Sequence, residues 1–159
     1  MAQLGKCLVS YSFNASKVSH YGAWVVESGA IDHMTHSPTR FNSYKPCPNT
    51  KKITIVDGSS ITIPIQGIIN LTRTFLLKNV LHVPKLSTTL ISIPQITKDL
   101  NCKTTFSSTH CVFQDLVMRR TIRLAKGRNG LYYLKEMIDR TNKESKLSLS
   151  CSNFSSNNS

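Results

Sequence analysis

Between Trp24 and Leu134 the apolar residues fall in short runs punctuated by Gly, Pro, Asn and Asp. That spacing predicts strands and turns rather than helices. Val25 and Val26 form an apolar pair that runs into Ser28-Gly29, which reads as a buried strand ending in a tight loop. Residues 51–56 (KKITIV) alternate and are rich in β-branched side chains, as a strand with one buried face requires. Asp57-Gly58 then marks a hairpin, because Gly tolerates the positive φ of such turns. Residues 61–65 (ITIPI) return as its partner, with Pro64 pointing to an edge or a bulge.

Further along, Gly67 reads as punctuation between that hairpin and a second pair of strands, 68–71 and 73–77. Residues 80–83 (VLHV) are another strand, closed by Pro84. The one helix expected spans 94–100 and ends near Asn101. Residues 103–106 with 111–114, and 121–124 with 131–134 around Gly127 to Gly130, read as two hairpins. Many short strands with regular turns predict an all-β barrel or sandwich. The ends differ: from Thr141 onward the chain is polar and rich in Ser and Asn, the composition of a disordered tail. Residues 7–13 read either as an outer strand or as linker.

Composition changes this picture in three places. The five cysteines are scattered, none in a Cys-x-x-Cys pair, and no Cys/His group has zinc spacing, so free thiols and no metal are expected. No apolar run reaches the ~20 residues of a membrane span, and the N-terminus lacks the pattern of a signal peptide; a cytosolic or nuclear setting, without membrane, is the expectation. The net charge of +12 admits an anionic partner. Its concentrations, Lys51-Lys52 and then Arg119, Arg120, Arg123, Lys126 and Arg128, are not interleaved with stacking aromatics. A solvated basic face is therefore favoured over nucleic-acid binding.

The segment that carries chemistry is Trp24-Val-Val-Glu27-Ser28-Gly29-Ala30. A carboxylate, a hydroxyl and a glycine after a buried strand resemble the Asp-Ser/Thr-Gly loop of aspartic proteases. In that chemistry two carboxylates about 3 Å apart share one proton, one acting as base toward water while the other polarises the scissile carbonyl. The hydroxyl braces the loop, and glycine allows close backbone approach. The blocks WVVESGAIDHMT, KKITIVDGS, LKNVLHVPKLSTTLISIPQI and GLYYL together resemble, in order and spacing, the protease region of copia-type retrotransposon polyproteins.

That resemblance implies a retropepsin-like closed β-barrel over residues 23–135, acting on polypeptide as a homodimer with one carboxylate from each subunit and needing no cofactor. It assigns Glu27, Ser28 and Gly29 to the catalytic loop, and casts Asp57, Gly58, Ser59 and Ser60 as a flap. The strand at Leu90-Ile91 is expected behind the loop. Residues 1–22 become linker or an added strand, and 136–159 the truncated start of the region before integrase. A zinc knuckle, frequent upstream of such proteases, has no motif here.

The departure falls on the decisive residue, since Glu27 stands where the pattern has Asp. One methylene moves the carboxylate by about 1.5 Å, and a misplacement of ~1 Å costs on the order of 10²-fold in rate. With both subunits affected the loss compounds to roughly 10⁴, so little or no proteolysis is expected. Asp32 reads as a turn or cap residue, and Asp57 as a hairpin residue before an acid. His33 and His36 lack a third ligand of metal spacing. Ser28 has no His/Asp set that would make it a hydrolase nucleophile. The alternatives are a slow protease that tolerates Glu, a non-enzymatic dimerisation or RNA-binding module using the basic surface, and a reading frame without a role.

Overall fold

The computed structural model describes residues 22–47, 51–54 and 58–137. Its first strand explains much of the rest. β1 (Ala23–Glu27) sends Trp24 and Val26 to one face and Val25 to the other, and all three are buried. A strand buried on both faces must lie in the middle of a sheet. Its neighbours are β8 (Leu90–Ser92), parallel, with Val26 opposite Ile91, and β12 (Leu131–Lys135), antiparallel, with Trp24 opposite Leu134.

The remaining strands extend this sheet both ways. On the β8 side lie β2 (Met34–Thr35), β7 (Leu76–His82), β6 (Ile65–Asn70) and β3 (Ser43–Pro46). On the β12 side lie β11 (Thr121–Arg128), β10 (His110–Asp115) and β9 (Cys102–Phe106). A separate two-stranded sheet joins β4 (Lys52–Thr54) to β5 (Ser60–Thr62). The one α-helix among the described residues is α1 (Ile93–Asp99), preceded in the chain by a 3₁₀ turn at Pro38–Arg40. The all-β expectation is met.

A closed barrel is not seen: among the described residues β3 and β9 end the large sheet, and no pairing joins them. The sheet nevertheless curls. Ile69, Leu77 and Val80 from β6 and β7 share one apolar cluster with Cys111, Phe113, Ala125 and Leu134 from the far wing. Phe75, before β7, meets Phe113 edge-on at a centroid separation of 5.8 Å, a preferred aromatic geometry. Side-chain packing thus bridges wings whose backbones do not pair. A second cluster (Val25, Met34, Ile53, Ile63, Leu81 and Leu90 among its members) fills the opposite face.

Several local readings are revised. Gly67 does not punctuate; it lies inside β6. A Cβ there would come within 2.2 Å of the Ser43 carbonyl oxygen, so the approach of β3 to β6 requires glycine. The expected strands at 73–77 and 80–83 are largely one strand, β7, beginning only at Leu76. Lys78 and Asn79 together face the single Ile68, and Asn79 adopts φ 52°. That bulge resets the alternation and lets Leu77 and Val80 enter the same cluster. The hairpin's return strand stops at Thr62, and Ile65 starts β6 instead. Gly127 lies within β11, and the turn is made by Asn129 and Gly130, both at positive φ. Residues 7–13, 55–57 and the tail from Thr141 lie outside the described residues.

Candidate functional site

Glu27 is the last residue of β1 and sits opposite Ser92 in the parallel pairing with β8. The strand expected behind the loop is therefore hydrogen-bonded beside it. β1 is further fixed by the Val25 N–H, which donates to the Thr89 carbonyl at 2.9 Å, and by the Thr89 hydroxyl, which donates to the Ala23 carbonyl at 2.8 Å. A rigid strand thus delivers the carboxylate to the start of a loop.

The carboxylate then turns back on that loop. Glu27 Oε1 accepts a hydrogen bond from the Gly29 N–H at 2.8 Å. A Cβ on Gly29 would lie 3.1 Å from the same oxygen, closer than carbon and oxygen ordinarily pack. Gly29 thus makes room for its neighbour's longer acid, and Ser28 is exposed beside it. The other described carboxylates are engaged elsewhere. Asp32 pairs with Lys51 at 3.0 Å, and Glu136 with Arg40 at 3.2 Å. Asp115 accepts from the N–H groups of Val117 and Met118, while Asp99 accepts from the Gln95 side chain.

The remaining loop residues are held by β7 and β8. His33 is fully buried. Its carbonyl accepts from the Leu81 N–H at 2.9 Å, and its ring Nδ1 accepts from the Ser92 N–H at 3.0 Å. Ser92 Oγ donates to the Ile31 carbonyl at 3.0 Å and accepts from the Gln95 N–H at 3.2 Å, so it also caps α1. Burial pushes the His33 imidazole down from its usual value to about 4. None of this was read from the sequence. The signal available was Ser92 three residues before Gln95 with Pro94 between them, the spacing of a helix N-cap.

Asp32, expected as a turn or cap residue, lies in a bend and there pairs with Lys51. Of the flap residues, Asp57 lies outside the described residues, while Gly58 takes φ 80° and Ser60 begins β5. The base of that hairpin is packed down: Ile53 and Ile63 are 4% and 1% exposed in the second cluster. His33 and His36 do not converge, one buried against Ser92 and the other exposed. Among the described residues no group of three His, Cys, Asp or Glu is placed to hold a metal ion. Cys47, Cys102 and Cys111 are free thiols, all buried. No described helix is long and apolar enough to cross a membrane.

The basic residues divide between two faces. Alternation along β11 puts Lys126 and Arg128 on one side and Arg123 on the other. The Arg123 guanidinium donates to the Lys135 carbonyl at 2.9 Å and contacts the Met137 sulfur, tying β11 to the chain after β12. Arg119 and Arg120 belong to the turn between β10 and β11.

Residues 24–101, from β1 to the end of α1, match the family model of the Pol polyprotein, beta-barrel domain. The match supports a fragment of a Pol polyprotein and a domain derived from a retrotransposon Pol. No curated protein and no solved structure matches the chain. The sheet continues past the matched segment, since β12 supplies one of the two neighbours of β1.

Proposed function

We propose that this is the protease-like domain of a copia-type Pol polyprotein, retropepsin-like in descent, in which Glu27 has replaced the catalytic Asp and peptide hydrolysis is lost or severely reduced. The observation that carries the reading is the position of Glu27. It ends a central strand, is flanked by the parallel β8, and enters a Ser-Gly loop, which supports reading it as the successor of a protease loop's carboxylate. Residues 28 and 29 supply the hydroxyl and the small neighbour.

The same geometry supports the loss. In the ancestral scheme each subunit of a homodimer brings one carboxylate, and the pair holds one proton between them. The longer side chain of Glu27 reaches back to its own Gly29 N–H, a bond satisfied within one chain. That bond engages Oε1 alone; Oε2 stands one methylene, about 1.5 Å, further along the side chain than an Asp would place it, and rate falls steeply with such misplacement.

The test is cleavage of a casein or polyprotein-derived peptide at pH 6 by the protein and by its Glu27→Asp variant, with an aspartic-protease inhibitor as control. Inhibitor-sensitive cleavage by the Asp variant, at least about 10²-fold above the unmodified protein, is expected. Equal activity in both would refute the loss. Silence from a folded Asp variant would refute the preserved scaffold and leave a non-enzymatic dimerisation or RNA-binding role to be tested.

A further inference from the structure

We infer that His33 is a positioning residue: its neutral ring latches the loop that presents Glu27 against β8, and protonating that ring releases the loop. The link to catalysis rests on the function proposed above; the latch itself does not.

The loop, residues 28–33, reaches β8 at two points, both on Ser92. The Ser92 N–H donates to His33 Nδ1 at 3.0 Å, and the Ser92 hydroxyl donates to the Ile31 carbonyl at 3.0 Å. Ser92 is also the register partner of Glu27 and the N-cap of α1, so it cannot shift to follow the loop. The loop's other anchors are the buried Ala30, the Asp32–Lys51 pair and the His33 carbonyl bonded by Leu81, while Ser28, Gly29 and Ile31 are exposed.

An imidazole nitrogen accepts a hydrogen bond only while it carries no proton. Because Nδ1 is the acceptor, the neutral ring carries its hydrogen on Nε2, which is buried and meets no hydrogen-bond partner among the described residues. A second proton would set an Nδ1–H against the Ser92 N–H, donor against donor. It would also put a full charge where no carboxylate answers it. The neighbouring elements offer none. β8 and β2 contain no titratable side chain, and β7 contributes only Lys78, which is exposed, and His82, whose ring is bonded to the His36 carbonyl. Asp32 is committed to Lys51, Glu27 to Gly29, and Lys98 and Asp99 stand at the end of α1 remote from Ser92.

Swinging the ring outward relieves both penalties, and the segment that moves with it is residues 28–33. Burial alone holds the ring neutral, down to about pH 4. A released His33 takes its proton at its ordinary value near 6.5, so each pH unit below that favours release about ten-fold until the buried value is reached.

Hydrogen exchange of the peptide covering residues 27–35, corrected for intrinsic rates and compared at pH 7 and pH 4.5, tests this. Trp24, the single tryptophan and fully buried in β1, reports global unfolding through its emission. We expect loop protection to fall by roughly 10–100-fold on acidification while Trp24 emission stays native. His33→Gln, whose side-chain oxygen can accept from Ser92 and does not titrate, should show no such fall. Unchanged protection in the unmodified protein, the same fall in the Gln variant, or loss only together with the Trp24 signal would each overturn the latch. Should the Gln variant not fold, the comparison of loop with Trp24 in the unmodified protein still decides. These readouts need no activity, so a silent Glu27→Asp enzyme would refute the proposed function and leave the latch standing.

Discussion

Asp32 Oδ1 lies 3.0 Å from Lys51 Nζ, which ties the loop after β1 to the residue where the β4–β5 hairpin begins. The candidate catalytic loop and the candidate flap are thus joined by one ion pair. Both side chains keep some contact with water, at 18% and 34% exposure, so the attraction is screened. Asp32→Asn should cost only about 0.2–1 kcal/mol in urea unfolding, and the difference should shrink in high salt. A loss that is large and insensitive to salt would give Asp32 a different role.

Gly67 and Gly130 separate two uses of glycine. A methyl at Gly67 meets the Ser43 carbonyl at 2.2 Å and the Tyr44 Cα at 2.9 Å, both backbone atoms that cannot rotate away. Gly130 has open space around its Cβ position and a φ of 76°. Gly67→Ala should destabilise by about 2–4 kcal/mol through overpacking. Gly130→Ala should cost only about 1–2 kcal/mol, the strain of a left-handed backbone. Thermal unfolding of the two variants checks the order.

Arg40 does two jobs, stacking over Trp24 at 5.6 Å and pairing with Glu136 at 3.2 Å. Burial raises the Glu136 carboxyl above its usual value, and the Arg40 charge opposes that rise. Removing the charge in Arg40→Gln should move the Glu136 titration to higher pH, followed by carboxyl-selective NMR. A raised carboxyl in the folded state means that folding favours the protonated acid. The variant's deficit should therefore be small where Glu136 is protonated and grow as pH rises, to about 1–3 kcal/mol near pH 7.

Cys111 is fully buried, and burial, with Cys102 nearby, pushes its thiol up to about 11. Only the thiolate reacts with alkylating agents. Iodoacetamide at pH 8 should leave Cys111 unmodified in the native protein and label it in urea, as read by mass spectrometry of the peptide containing it. Equal labelling in both states would mean that the first cluster opens readily.

The sequence announced those elements whose own side chains alternate or terminate cleanly. β1, β9, β10, β12 and α1 were visible because apolar runs such as Val25-Val26 and the Pro94 start are local signals. β2 was not, being two residues long, nor was β3, whose Ser-Tyr-Lys-Pro is exposed throughout. Both exist because of their neighbours rather than their composition. The polar Lys78-Asn79 pair disguised β7 as two strands, because a bulge looks like a break when only polarity is read. Glu27, Ser28 and Gly29 were legible as a motif. The His33–Ser92 contact joins residues far apart in sequence, and nothing local to His33 distinguishes a buried acceptor from a loop histidine.

The pairing of β1 has a consequence for the order in which the protein assembles. Ala23 lies opposite Lys135, and Val25 opposite Leu90, so the first strand among the described residues has its two neighbours far downstream in the chain. Closing such long loops is slow, and a strand without neighbours exposes its apolar faces in the meantime. During synthesis β1 can pair with β8 first, while its other edge, along Ala23–Val26, stays open until β12 has left the ribosome. The hairpins β6–β7 and β9–β10 can form from adjacent residues well before then. The Glu27 loop can dock on β7 and β8 before β12 exists, and a nascent chain halted after α1 would present β1 with its other edge open, a half-sheet that chaperones and proteases can recognise.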